Sequence, residues 1–104
     1  MGMNPQAMMK QAKKMQRKME EVQEQVALET VEASAGGGMV TAVVSGDLKV
    51  KSITIDPEAV DPEDLEMLQD TITAAVNQGI ADAQAMAAER MSAVTGGMNI
   101  PGLF

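Results

Sequence analysis

Five cations fall within nine residues near the start of the chain: Lys10, Lys13, Lys14, Arg17 and Lys18. Residues 1–19 contain no acid, so the segment carries +5, while residues 20–104 hold three cations against 15 acids. Lys and Arg side chains ranged along one helix face meet phosphates and release counterions, the chemistry that dominates affinity for a nucleic-acid backbone. A solvated cationic face that complements acids such as Glu20, Glu21 and Glu24 is the plainer reading of the same residues.

Other chemistry is limited by composition. The chain has no Cys, His, Trp or Tyr, and Phe104 is its one aromatic residue. Disulfide scaffolds, thiol catalysis, His-based triads and Cys/His metal centres are excluded. Aromatic platforms that stack bases are excluded too. Gly36-Gly37-Gly38 is no phosphate loop, because strand-forming residues follow it and no Gly-Lys-Ser/Thr is present. Asp56, Glu58, Asp61, Glu63 and Asp64 lack the spacing of a calcium loop, and helix capping accounts for most of them. No catalytic residue, metal ligand or cofactor is expected, and the chain is not read as an enzyme.

The elements that must position the cations follow from periodicity. Asn4 as N-cap and Pro5 at the first helical position open a helix from Pro5 to Leu28, about 36 Å long. Met8, Ala12, Met15, Met19, Val22 and Val26 recur at alternating spacings of four and three, a heptad seam. The five cations centre near the opposite face.

Thr30–Ala35, Met39–Ser45 and Leu48–Ile55 read as three strands of an antiparallel meander, broken at Gly36-Gly37-Gly38 and at Gly46-Asp47. The second break suits a type II′ turn with Gly46 first. Leu48 and Val50 share one parity and Ile53 and Ile55 the other, which a bulge near Lys51-Ser52 would reconcile. Lys49 and Lys51 read as solvent-side residues that discourage edge pairing.

Asp56-Pro57-Glu58 makes a turn. A second long helix then opens with Asp61 as cap and Pro62 at its first position. It runs past Gly79 to Thr95 and stops at Gly96-Gly97. The expected fold is α+β, a two-layer α/β arrangement of helix, three-stranded sheet and helix. Residues 1–95 form one domain and residues 96–104 a loose tail.

Helices of about 36 and 50 Å overhang strands of about 23 Å. Their apolar seams then need cover, which a second copy supplies. The expectation is a homodimer with projecting helical arms, its interface on Met8, Met15, Met19, Val22 and Val26. No apolar stretch reaches the roughly 18 residues a membrane span requires, and no secretory signal is evident, so no membrane partner is expected and the cytoplasm is the expected compartment.

Several ordered segments resemble one family. They are Ser34 to Val40, Ser45-Gly46-Asp47, Val50 to Pro57, Leu65 to Leu68, Ala74 to Asn77, Met91, Thr95 to Met98 and Pro101-Gly102-Leu103, with Met9 to Ala12 before them. Nearly the whole chain is similar to the YbaB/EbfC nucleoid-associated proteins. The resemblance implies a small, tweezer-shaped homodimer that binds double-stranded DNA in the bacterial nucleoid. It strengthens the reading of Lys10, Lys13, Lys14, Arg17 and Lys18 as the DNA-binding set; Arg90, near the apolar seam of the second helix, reads either as a further DNA contact or as an ion pair between subunits. This sequence departs from the family at Gln78-Gly79, where relatives more often carry an acid and Ala. It also keeps Arg90 alone where relatives hold more Lys. The competing reading, motivated by the acidic remainder, is an acidic dimeric adaptor for replication or recombination proteins.

Overall fold

The computed structural model describes residues 4–96. The first helix, α1 (Pro5–Leu28), has the expected bounds, and local chemistry explains both ends. The Asn4 side chain accepts from the Gln6 N–H at 2.9 Å, and Pro5 occupies a position where no amide donor is needed. At the other end Glu29 turns into extended backbone while its N–H still donates to the Gln25 and Val26 carbonyls, both at 3.1 Å. The chain passes directly into the sheet.

Three strands follow, β1 (Thr30–Ala35), β2 (Val40–Ser45) and β3 (Val50–Ile55), antiparallel in the order β1-β2-β3. The first hairpin turns through Gly36, Gly37 and Gly38 at φ of 66°, 70° and 93°, a run of left-handed residues that only glycine adopts cheaply. The second hairpin differs from expectation. Gly46 has no positive φ; Leu48 does, at 64°. The Leu48 N–H donates to the Ser45 carbonyl at 2.8 Å, and the Ser45 N–H to the Lys49 carbonyl at 2.9 Å. This is a three-residue loop closing on a left-handed residue, in place of a type II′ turn. Gly46 is required for another reason: a Cβ there would lie 2.0 Å from the Val26 carbonyl oxygen. Its N–H also donates to the Glu29 carbonyl at 2.9 Å, so the end of α1 lies directly on this turn.

The expected bulge is present. Val43 pairs with Ser52 and Val44 with Val50, leaving Lys51 as the extra residue of β3. Val50, Ile53 and Ile55 thereby come onto one face with Val40, Ala42 and Val44. The opposite face is mostly polar, with the Ser34 and Thr41 hydroxyls 3.0 Å apart across β1 and β2.

A 3₁₀ turn at Pro57–Ala59 follows, with the Asp56 carboxylate accepting from the Glu58 N–H at 3.0 Å. The second helix, α2 (Leu65–Gly96), starts later than Asp61-Pro62 implies. Asp61 caps a tight turn, accepting from the Glu63 N–H at 2.9 Å. Asp64 caps the helix, accepting from the Met67 N–H at 3.2 Å. Two aspartates three residues apart can both cap, and the first is taken by the turn.

α2 lies across β1 and β2. Val40, Ala42 and Ala75 form the centre of the core, with Leu68, Ile72, Val76 and Ile55 around them. Each fully buried valine contributes about 1.5–3 kcal/mol. Gly79 marks the closest approach of helix and sheet: an added Cβ would lie 2.7 Å from Val44 Cγ2 and 3.7 Å from Ala33 Cβ. Apart from Ile55, the core side of β3 is left open: Val50 and Ile53 remain 42% exposed. The molecule measures 75 × 23 × 15 Å. α2 accounts for about 48 Å of that length, so α1 projects beyond it as an arm. The expected tail beyond Gly96 lies outside the described residues.

Candidate nucleic-acid interface

α1 divides into a packed half and a free half. Met15, Met19 and Val22 are half-buried and Val26 is buried, a stripe on one side of α1, and α2 is the main element that α1 touches. Residues 4–14 are exposed on every side, Met8 of the heptad seam included. The lower seam thus closes the chain's own fold, and Val26 is enclosed before any second copy arrives. α2 of the same chain is the main element packed against α1.

On a helix of 3.6 residues per turn, Lys10, Lys13, Lys14, Arg17 and Lys18 share the face turned away from that stripe. All five are exposed. Lys10, Lys13, Lys14 and Arg17 line one shallow groove with Ala7 and Gln11. Among the described residues the ion pairs are Lys49–Asp47 at 3.7 Å and Arg90–Glu29 at 3.1 Å, so none of the α1 cations is paired with a described acid. Five unneutralised charges over two turns of an isolated rod make a surface for a polyanion.

Arg90 stands apart from this group. Its guanidinium holds Glu29, the residue that ends α1, and that carboxylate raises the Arg90 pKa above its ordinary value through hydrogen bonding and charge. The pair is internal to one chain, whereas the sequence leaves Arg90 between a DNA contact and an ion pair across subunits. Lys49 and Lys51 are exposed on the edge strand side, Lys49 beside Asp47 and Lys51 at the bulge. Among the described residues no cluster of His, Cys, Asp and Glu is arranged to hold a metal ion, and no helix is long and apolar enough to cross a membrane.

The arrangement of arm and sheet has counterparts in known proteins. A crystal structure of an uncharacterized Helicobacter pylori protein superposes with a TM-score of 0.67 at 21% identity, covering 93% of this chain and 98% of that one. Among curated proteins, a nucleoid-associated protein of Syntrophobacter fumaroxidans is 57% identical over 98% of this chain and 90% of its own. One from Alkaliphilus metalliredigens is 59% identical over 93% of this chain and 85% of its own. One from Acetivibrio thermocellus is 56% identical over 99% of this chain and 92% of its own. The model of the YbaB/EbfC DNA-binding family matches residues 1–98, arm and body together. With that match spanning nearly its whole length, the chain belongs to the YbaB/EbfC DNA-binding family.

Proposed function

We propose that this protein is a nucleoid-associated homodimer that grips double-stranded DNA through phosphate contacts from the outer face of α1, in the bacterial cytoplasm. The single observation that carries the reading is the set of five cations, free of acid partners, on the exposed half of a projecting helix. The net charge of -7 does not oppose it, because charges further than about 8–10 Å are screened at physiological salt. A basic arm acts on DNA while the acidic body stays remote. Base-specific readout is slight: cations on a helix face contact phosphate, and phosphate contacts carry no sequence information. The names of the nucleoid-associated relatives support the location.

The uncovered core side of β3 supports pairing. Val50 and Ile53 are apolar, lie beside the buried core, and remain exposed in the single chain. A second copy laid on this face buries them and leaves both α1 arms free. The Lys10→Ala, Lys14→Ala, Arg17→Ala triple variant tests the DNA reading. Its affinity for unrelated duplexes falls to the same degree on each. Its log–log salt dependence becomes shallower by about 0.9 for every phosphate left without its cation. Binding equal to the parent at matched salt would remove α1 as the DNA site.

A further inference from the structure

The chain separates its charge into two poles. One is the α1 arm. The other is the segment from residue 56 to residue 70, which holds Asp56, Glu58, Asp61, Glu63, Asp64, Glu66 and Asp70 and no cation. This acidic segment leads into the first turns of α2, whereas α1 is fastened to the last third of α2 by the Glu29–Arg90 pair. The poles therefore lie toward opposite ends of a 75 Å molecule.

The acidic pole also has an apolar cleft. A hollow of about 280 Å³ opens between the first hairpin, the 3₁₀ turn and α2, lined by Gly36, Met39, Ala59, Met67, Leu68 and Thr71. Met39 is 45% and Met67 66% exposed. Asp64, Glu66 and Asp70 border the adjoining hollow on the other side of Met67 and Thr71. A cleft bordered by adaptable methionines, with carboxylates on the adjoining hollow, suits an amphipathic, cationic helix.

This chain carries such a helix. The free half of α1 presents Met8 and Met9, 55% and 59% exposed, next to Lys10, Lys13 and Lys14. The tip of α1 points away from the acidic pole of its own chain, so only another molecule can bring the two together. We propose that the cleft between Met39 and Met67 is a docking site for the α1 tip of a second copy, separate from the pairing through β3. Such a contact is head-to-tail, uses different surfaces on the two copies, and can extend from dimer to dimer. It is held largely by charge and weakens as salt rises. Because the docked tip uses the same cations as DNA, duplex DNA displaces it; that last clause rests on the DNA reading above.

The absence of Cys from the chain makes the contact measurable. Full-length protein bearing Ala7→Cys, on the α1 groove, is mixed with protein bearing Ala74→Cys, on the acidic hollow that shares Gly36, Met67 and Thr71 with the cleft, and oxidised gently. A control mixture pairs Ala7→Cys with Ala88→Cys, an exposed α2 position well outside the cleft. At low salt the 7–74 disulfide forms at least about fivefold faster than the 7–88 disulfide, and the advantage disappears at high salt. Reversing Glu63, Glu66 and Asp70 to Lys abolishes it, whereas reversing Glu32, Asp82 and Glu89 to Lys, an equal change in net charge, leaves it. Equal 7–74 and 7–88 rates at low salt overturn the proposal, and so does a 7–74 rate unmoved by the first set of reversals. A parallel duplex titration of the parent tests the DNA reading by itself. Where the parent is saturated with duplex yet the 7–74 rate is unchanged, displacement by DNA is overturned.

Discussion

Arg90 donates through Nε to Glu29 Oε2 at 3.1 Å and through Nη2 to Oε1 at 3.4 Å, tying the residue that ends α1 to the last third of α2. Sixty-one positions separate the two in sequence. The pair sits where the arm leaves the body, so it bears on how steadily α1 projects.

Both partners are about half exposed, and ion pairs of that kind add little to stability. Arg90→Ala is expected to lower the denaturation midpoint only slightly. It should weaken DNA binding far less than the removal of Lys10, Lys14 and Arg17. Parallel urea titrations and duplex titrations check both statements. A fall in DNA affinity equal to that of the triple variant would place Arg90 in the interface.

Gly79 and Val44 share one space between α2 and β2. Gly79→Ala gains about 1 kcal/mol in helix propensity, but its methyl group meets a fully buried side chain and costs about 1–3 kcal/mol. Net destabilisation of about 1 kcal/mol is expected. Val44→Ala should relieve it, so the double variant is more stable than the sum of the single effects by about 1 kcal/mol. Denaturant unfolding of the four proteins closes the cycle, and strict additivity would show that the two residues do not compete.

The second hairpin responds to acid. The Ser45 hydroxyl donates to the Asp47 carboxylate and lowers its pKa; partial desolvation acts against this, and Lys49 at 3.7 Å lowers it further. A carboxylate whose pKa is depressed on folding contributes stability that is full above its unfolded value, near pH 4, and fades as pH falls through the folded value. The stability gap between parent and Asp47→Asn is therefore constant from about pH 5 upward and closes in stronger acid. Chemical denaturation across that range measures it, and a gap that widens in acid would reverse the assignment.

Pairing through β3 predicts a change of mass. The parent sediments at about twice its 11.0 kDa chain mass. Ile53→Glu places a charge on the uncovered core side of the sheet, where a single chain tolerates it because the site is open to water. The variant is expected to sediment as a folded 11.0 kDa chain, with helix content unchanged by circular dichroism. A dimeric Ile53→Glu would return attention to the exposed Met8 end of α1.

What the sequence determined by itself was local. Asn4-Pro5 and the seam to Val26 specify α1, because a cap and a 3.6-residue period act within a few positions of themselves. The conflict of parity between Val50 and Ile53 specifies the bulge, because strand faces alternate with period two. The five cations belong to one face of α1 for the same reason that the seam does. Tertiary structure decided which surfaces meet. The sequence points to Asp61 as the cap of α2, yet the helix begins after Asp64 because Asp61 serves the preceding turn. Left-handed backbone falls on Leu48 instead of Gly46, and Gly46 is needed instead to leave room for the Val26 carbonyl, an approach made across twenty residues. The seam of α1 meets α2 of its own chain, and Arg90 meets Glu29, because α2 crosses β1 and β2 and continues past the sheet along the arm. That path leaves the tip of α1 bare and its cations unmatched, which periodicity alone could not show, since a heptad seam is the same whether its partner belongs to the same chain or to another.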